Sequence, residues 1–186
     1  MKIFISGGCK NGKSYYAQKL AKAQAAGELY YVATMKSADS EDDERIERHQ
    51  RERDGWGFTT VEQPADIENI LHNCDSGGSF LFDSLTALLS NEMFPMDGDI
   101  NVRAAEKVSS GLNRILDEVE DIVIVSDYIY SDAMIYDELT EQYRESLAAL
   151  DREAAGKCDV VLEAAYANLI VHKGEEMFHG IYQKIL

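Results

Sequence analysis

The sequence predicts an α/β protein with a mostly parallel sheet flanked by helices, and three observations carry that prediction. Short apolar runs alternate with longer segments of helical periodicity. Residues Gly7 to Ser14 read GGCKNGKS, a G-x-x-x-x-G-K-[ST] phosphate-loop pattern, directly after the apolar run Ile3-Phe4-Ile5. A later apolar run, Phe80-Leu81-Phe82, ends in the acid Asp83. A buried strand feeding a glycine-rich loop and helix, with a carboxylate at a second strand end, is the plan of a P-loop NTPase-like three-layer fold.

The elements follow in order along the chain. Strands are predicted at Lys2–Ser6, Leu29–Thr34, Ser79–Phe82, Ile122–Ser126 and Asp159–Glu163, where apolar and β-branched residues cluster between turn signals. Asn168–Val171 and the region of Ile181 and Tyr182 are further edge-strand candidates, with Lys173-Gly174 as a turn between them. Helices are predicted at Ser14–Ala25, Glu41–Asp54, Ala65–Cys74, Leu85–Met93, Asn101–Val119 and Asp137–Ala155. The last carries Leu139, Tyr143, Leu147 and Leu150 on one stripe. Pro64 and Pro95 fall at helix boundaries, where a missing N–H does little harm. Met93, Phe94 and Met96 are expected to lie in the core rather than at an interface.

The length of 186 residues suits one domain spanning 1–186, and no internal repeat or low-complexity tract divides it. A formal charge of −16 repels nucleic-acid phosphates and anionic lipid headgroups, so the expected partner is a small molecule and not a nucleic acid. Cys9, Cys74 and Cys158 are far apart and odd in number, which points to reduced thiols and against a structural zinc site. No apolar segment approaches the length of a membrane span and no signal-like region opens the chain, so membrane insertion is not expected and the cytoplasm is the expected compartment.

The phosphate loop carries the first chemistry. Gly7, Gly8, Cys9, Lys10, Asn11 and Gly12 present backbone N–H groups to phosphate oxygens, the side chain of Cys9 being incidental, and the following helix offers an N-terminus that favours anions. Lys13 reaches the β- and γ-phosphates of a nucleoside triphosphate, and the Ser14 hydroxyl ligates Mg²⁺. Asp83 stands where a strand-end acid holds that Mg²⁺, although Asp83 or Ser84 also suits the cap of the following helix. Asp127, which follows the apolar run Ile122 to Val125, is a second candidate for the same rim.

The segment Glu41 to Asp54, EDDERIERHQRERD, has one apolar residue, Ile46, and cannot be an ordinary core helix. Helical spacing stacks Arg45, His49 and Arg53 on one face. Two readings stand: a solvated helix stitched by ion pairs, or a helix over the phosphate loop whose arginines hold phosphates and whose histidine does chemistry. His72, His172 and His179 have no such setting.

In combination these features resemble the bifunctional adenosylcobinamide kinase and adenosylcobinamide-phosphate guanylyltransferase family of cobalamin biosynthesis. The resemblance runs from GGCKNGKS through Tyr31-Val32-Ala33-Thr34, similar to a Y-[IV]-A-T strand, and Arg45-Ile46 with His49, Arg53, Trp56 and Glu62-Gln63-Pro64, similar to R-I-x-x-H, a tryptophan and E-x-P. It continues through FLFDSLTALLSNEMF, Phe80 to Phe94. The resemblance implies two reactions. A nucleoside triphosphate, ATP or GTP, gives its γ-phosphate to a hydroxyl of an adenosylcobinamide-like corrinoid, assisted by Lys13, Ser14 with Mg²⁺, and Asp83. Then His49 attacks the α-phosphate of GTP to form a phosphoramidate that the cobinamide phosphate opens, with Arg45 and Arg53 pairing phosphate oxygens and keeping the imidazole unprotonated. Thr34 and Glu62 join the binding residues by the same resemblance, which also implies a homo-oligomer.

The chain departs from the family where a V-[ST]-N-E-V-G-x-G-[IV]-V-P segment is expected and Val125-Ser126-Asp127-Tyr128-Ile129-Tyr130-Ser131-Asp132-Ala133-Met134 stands instead. Ala148 and Asp151 replace an expected glycine and asparagine after Tyr143-Arg144-Glu145. A rim without those glycines takes a different shape. Two further readings therefore stand beside the family one: a P-loop kinase of another small hydroxylated substrate, and a nucleotide-binding regulatory protein without turnover.

Overall fold

A computed structural model describes residues 1–36, 51, 53–96 and 98–185. Seven strands form one sheet: β1 (Lys2–Gly7), β2 (Leu29–Ala33), β3 (Thr59–Glu62), β4 (Ser79–Asp83), β5 (Asp121–Asp127), β6 (Val160–Ala165) and β7 (Asn168–Lys173). Their order is β3-β2-β4-β5-β1-β6-β7, with every pairing parallel except the antiparallel β6–β7 hairpin. Among the described residues the helices are α1 (Lys13–Gln24), α2 (Ile70–Asn73), α3 (Leu85–Met93), α4 (Ala104–Glu118), α5 (Glu138–Lys157) and α6 (Glu175–Tyr182), with a tight helical turn at Ile67–Asn69 leading into α2.

The apolar runs are continuous because both faces of the sheet are covered. Alternation along each strand sends Phe4, Val32, Phe80, Phe82, Ile122 and Ile124 to the face packed by α3, α4 and α5. Ile3, Ile5, Leu81, Val123, Val125 and Leu162 go to the face packed by α1 and α6. This is the predicted three-layer α/β architecture. The parallel strands bring the carboxyl ends of β1, β2, β4 and β5 to one edge, which is where such folds build their sites. Among the described residues no helix is long and apolar enough to cross a membrane.

Several expectations need correction. Ile181 and Tyr182 lie in α6 and not in a strand: Phe178 and Ile181, three residues apart, are both buried, and Glu175 and Glu176 occupy the first helical turn. Asn168–Val171 lies in the edge strand β7, as expected, and the strand runs on to Lys173, which was expected in a turn. The sequence reading missed β3, whose Thr59, Thr60 and Glu62 are exposed and leave no apolar run to see. The helix predicted over Ala65–Cys74 is shorter, beginning after Asp66, which has a left-handed φ of 49°. Met93 is core, but Phe94 and Met96 are exposed. Of the segment Glu41–Asp54, residues 41–50 and 52, and so Arg45 and His49, lie outside the described residues; Arg51 and Arg53 are helical.

Candidate active site

The phosphate loop leaves the middle of the sheet. β1 lies between β5 and β6, and its Gly7 pairs with Asp127 on one side and Ala164 on the other. A Cβ at Gly7 would collide with the carbonyl oxygen of Ala164, so a side chain there would push the loop out of register. Gly12, with φ 84°, turns the chain into α1 in a conformation that disfavours other residues. The first turn of α1 holds no acidic residue, which leaves its N-terminal dipole for an anion.

Lys13 is almost fully buried. Its Nζ donates to the carbonyl oxygen of Gly8 at 2.8 Å and pairs with Oδ1 of Asp127 at 2.7 Å. The loop lysine is thus held inward by a carboxylate at the end of the neighbouring strand. The backbone N–H of Asp127 donates to Thr86 Oγ1 at 2.8 Å, and the Tyr143 hydroxyl donates to the Thr86 carbonyl at 3.0 Å.

On the other side β4 delivers Asp83 to the same edge, and the Tyr31 hydroxyl donates to its Oδ2 at 2.9 Å. The Arg53 guanidinium stacks on the Tyr31 ring, 3.5 Å from its centroid, in a nearly buried position. Helix capping falls to Ser84, whose Oγ accepts from Ala87 N–H at 3.2 Å, so the Asp83 carboxylate faces the cleft. Thr34, fully buried, fixes that strand end: its Oγ1 accepts from Ser84 N–H at 2.7 Å and donates to Ser84 O at 2.8 Å. Asn91 Nδ2 ties the carbonyls of Thr34 and Pro64 at 2.7 and 3.0 Å.

Beyond β5 the divergent segment is organised around Arg144. Its guanidinium donates to Ile129 O, Glu141 and Asp132 at 3.2, 2.6 and 3.0 Å, and lies 4.5 Å from the Tyr136 ring centroid. Asp151 lies behind this loop, accepting from Tyr130 Oη at 2.9 Å. Burial pushes the Asp151 carboxyl up to about 6, against the opposing pull of that hydrogen bond. Burial and the adjoining Asp151 likewise raise the Tyr130 phenol, and burial pushes Tyr143 up to about 12.

A cleft of about 650 Å³ opens over this edge, lined by Ser14, Arg53, Glu62, Asp83 and Asp127 among others. It gathers four expected site residues, Ser14, Asp83, Arg53 and Glu62, from separate segments between residues 14 and 83. Thr34 stands behind it as a support. Sequence reasoning gave no site role to Tyr31, Thr86, Asn91 and Tyr143, although all four lie inside stretches the resemblance quoted, because a shared stretch does not show which partner each side chain takes. Ser14 and Asp83 offer hard oxygen donors to the cleft, the donor set that Mg²⁺ takes.

Residues 3–167 match the model of a family described as cobinamide kinase / cobinamide phosphate guanyltransferase. The chain is 27% identical over 178 residues to the bifunctional adenosylcobalamin biosynthesis protein CobP of Pseudomonas aeruginosa, covering 95% of this chain and 100% of that one. It is 30% identical over 101 residues to the bifunctional adenosylcobalamin biosynthesis protein CobU of Escherichia coli K12, covering 53% of this chain and 54% of that one. Among solved structures, the flagellar accessory protein FlaH of Methanocaldococcus jannaschii matches with a TM-score of 0.50 at 15% identity, covering 92% of this chain and 77% of that one. That likeness is one of fold.

Proposed function

Because the chain belongs to the cobinamide kinase / cobinamide phosphate guanyltransferase family, we propose that it phosphorylates adenosylcobinamide with ATP or GTP and then transfers GMP from GTP to the product through a histidine-linked intermediate. The observation that carries the reading is the convergence of Ser14, Asp83, Arg53 and Glu62 on one cleft beside the phosphate loop.

In the kinase step the corrinoid hydroxyl oxygen attacks the γ-phosphorus and gives up its proton to solvent, the bond from that phosphorus to the β,γ-bridging oxygen breaks, and the nucleoside diphosphate leaves. The loop N–H groups and Lys13 hold the phosphates, and Asp83, oriented by Tyr31, faces the transferring group. Ser14 and Asp83 would hold Mg²⁺, which neutralises charge on the phosphates when bound. In the second step an imidazole nitrogen of His49 attacks the α-phosphorus of GTP and pyrophosphate leaves. A phosphate oxygen of cobinamide phosphate then takes the GMP and returns the free imidazole. Arg53, beside the cleft, and Arg45 suit the phosphate oxygens of this step.

The same reading includes a cytoplasmic homo-oligomer. Exposed Phe94, Met96, Ile100 and Val102, after α3, supply apolar surface for contact between subunits. The test is product analysis: adenosylcobinamide incubated with γ-labelled ATP or GTP should acquire label, and adenosylcobinamide phosphate with α-labelled GTP should acquire GMP. A protein that binds nucleotide but transfers neither label would favour the regulatory reading instead.

A further inference from the structure

The nucleoside end of the site has its own surface, on the opposite side of β1 from the cleft. β5 and β4 lie on one side of β1 and the β6–β7 hairpin on the other. The strand-end acids Asp83 and Asp127, which belong with the γ-phosphate, are on the β4–β5 side. A triphosphate running along the loop therefore leaves its nucleoside toward β6 and β7.

There the hairpin presents an aromatic side chain in a conformation that needs a reason. Gly7 pairs with Ala164, so the hairpin turn lies just beyond the loop's first glycine. Only Tyr166 and Ala167 separate the closing pair Ala165 and Asn168. Their φ angles are 51° and 58°, the left-handed geometry of a turn that favours asparagine and glycine and strains other residues. Core packing does not offset that strain, because Tyr166 is 91% exposed. The turn is nevertheless fixed: Asn168 Nδ2 donates to Tyr166 O at 2.9 Å, and the Tyr16 hydroxyl donates to Ala167 O at 2.7 Å. Tyr16 lies two residues after Ser14, so the turn is tied directly to the helix that receives the phosphates.

We propose that Tyr166 is the stacking platform for the base of the nucleotide that gives its γ-phosphate in the kinase step, an inference that rests on the nucleotide-binding reading above. Stacking on a tyrosine face tolerates any base. The subsite accordingly gives affinity for nucleosides over bare polyphosphate and does not choose between ATP and GTP.

The test compares Tyr166→Asn, which suits the turn and removes the ring, with Tyr166→Phe, which keeps the ring. Dissociation constants are measured calorimetrically for the Mg²⁺ complexes of GTP, ATP and inorganic tripolyphosphate. Tyr166→Asn should weaken both nucleotides about tenfold and leave tripolyphosphate unchanged, while Tyr166→Phe stays within about twofold of wild type for all three. Unchanged nucleotide affinity in Tyr166→Asn overturns the proposal, as does an equal loss for tripolyphosphate, which would mean the turn acts through the loop. Either of those results in Tyr166→Asn, beside a wild-type chain that binds tripolyphosphate and nucleotide, leaves the nucleotide reading standing. One that binds neither tripolyphosphate nor nucleotide removes that reading and this inference together.

Discussion

The ammonium of Lys13 lies 2.7 Å from Oδ1 of Asp127, so the lysine proposed to hold phosphate is engaged by a carboxylate at the end of the next strand. Incoming triphosphate must displace or share that contact. A charge-assisted hydrogen bond contributes about 1.5 kcal/mol, or about tenfold in affinity. Asp127→Asn should therefore tighten Mg²⁺-nucleotide binding about tenfold by calorimetry. A loss of affinity confined to solutions containing Mg²⁺ would instead make Asp127 a metal ligand.

Tyr31 aims Asp83 by donating to its Oδ2, and the Arg53 guanidinium stacks on the same ring. Tyr31→Phe keeps the ring and removes only the donor. Kinase kcat is expected to fall about tenfold with the nucleotide KM little changed, since a charge-assisted hydrogen bond of about 1.5 kcal/mol is lost. An equal rise in KM with kcat intact would show that the pair serves binding alone.

Thr34 both accepts from and donates to Ser84 in a fully buried position. Thr34→Val keeps the shape and leaves a buried N–H and C=O without those partners, a loss of about 2 to 4 kcal/mol. Thr34→Ser retains the hydroxyl and should keep most of the stability. Urea melts of the two variants give the comparison; equal stability would contradict the clamp.

Asp151 makes stability depend on pH in a definite direction. Its folded-state carboxyl titrates near 6, whereas in the unfolded chain it titrates near about 4. The stabilisation from its proton is full below about pH 4 and is lost as pH rises through the folded value. Asp151→Asn removes the titration and preserves an acceptor for Tyr130. The variant should gain about 1 to 3 kcal/mol over wild type near pH 7.5 and little near pH 4. A difference of equal size at both pH values would contradict this.

The parts legible in the sequence are those whose residue identity is imposed locally. Gly7 and Gly12 are demanded by a carbonyl's close approach and by a left-handed φ, and the buried strands show as apolar runs because helices cover both their faces. Asp83 was legible as the end of such a run. β3 was not, because an exposed edge strand needs no apolar pattern, and Ile181 read as strand because two adjacent apolar residues do not declare their period. The Lys13–Asp127 pair requires knowing that β5 is the neighbour of β1, which follows from packing and from no one segment. Arg144 likewise shows its purpose only once its three acceptors surround it.

Covalent trapping tests most directly the proposed histidine-linked GMP transfer at the P-loop cleft. Protein incubated with α-labelled GTP and Mg²⁺, then denatured, should retain label that survives alkali, is released by acid and is absent from His49→Ala. No retained label in the wild type, or label that persists in His49→Ala, would contradict it.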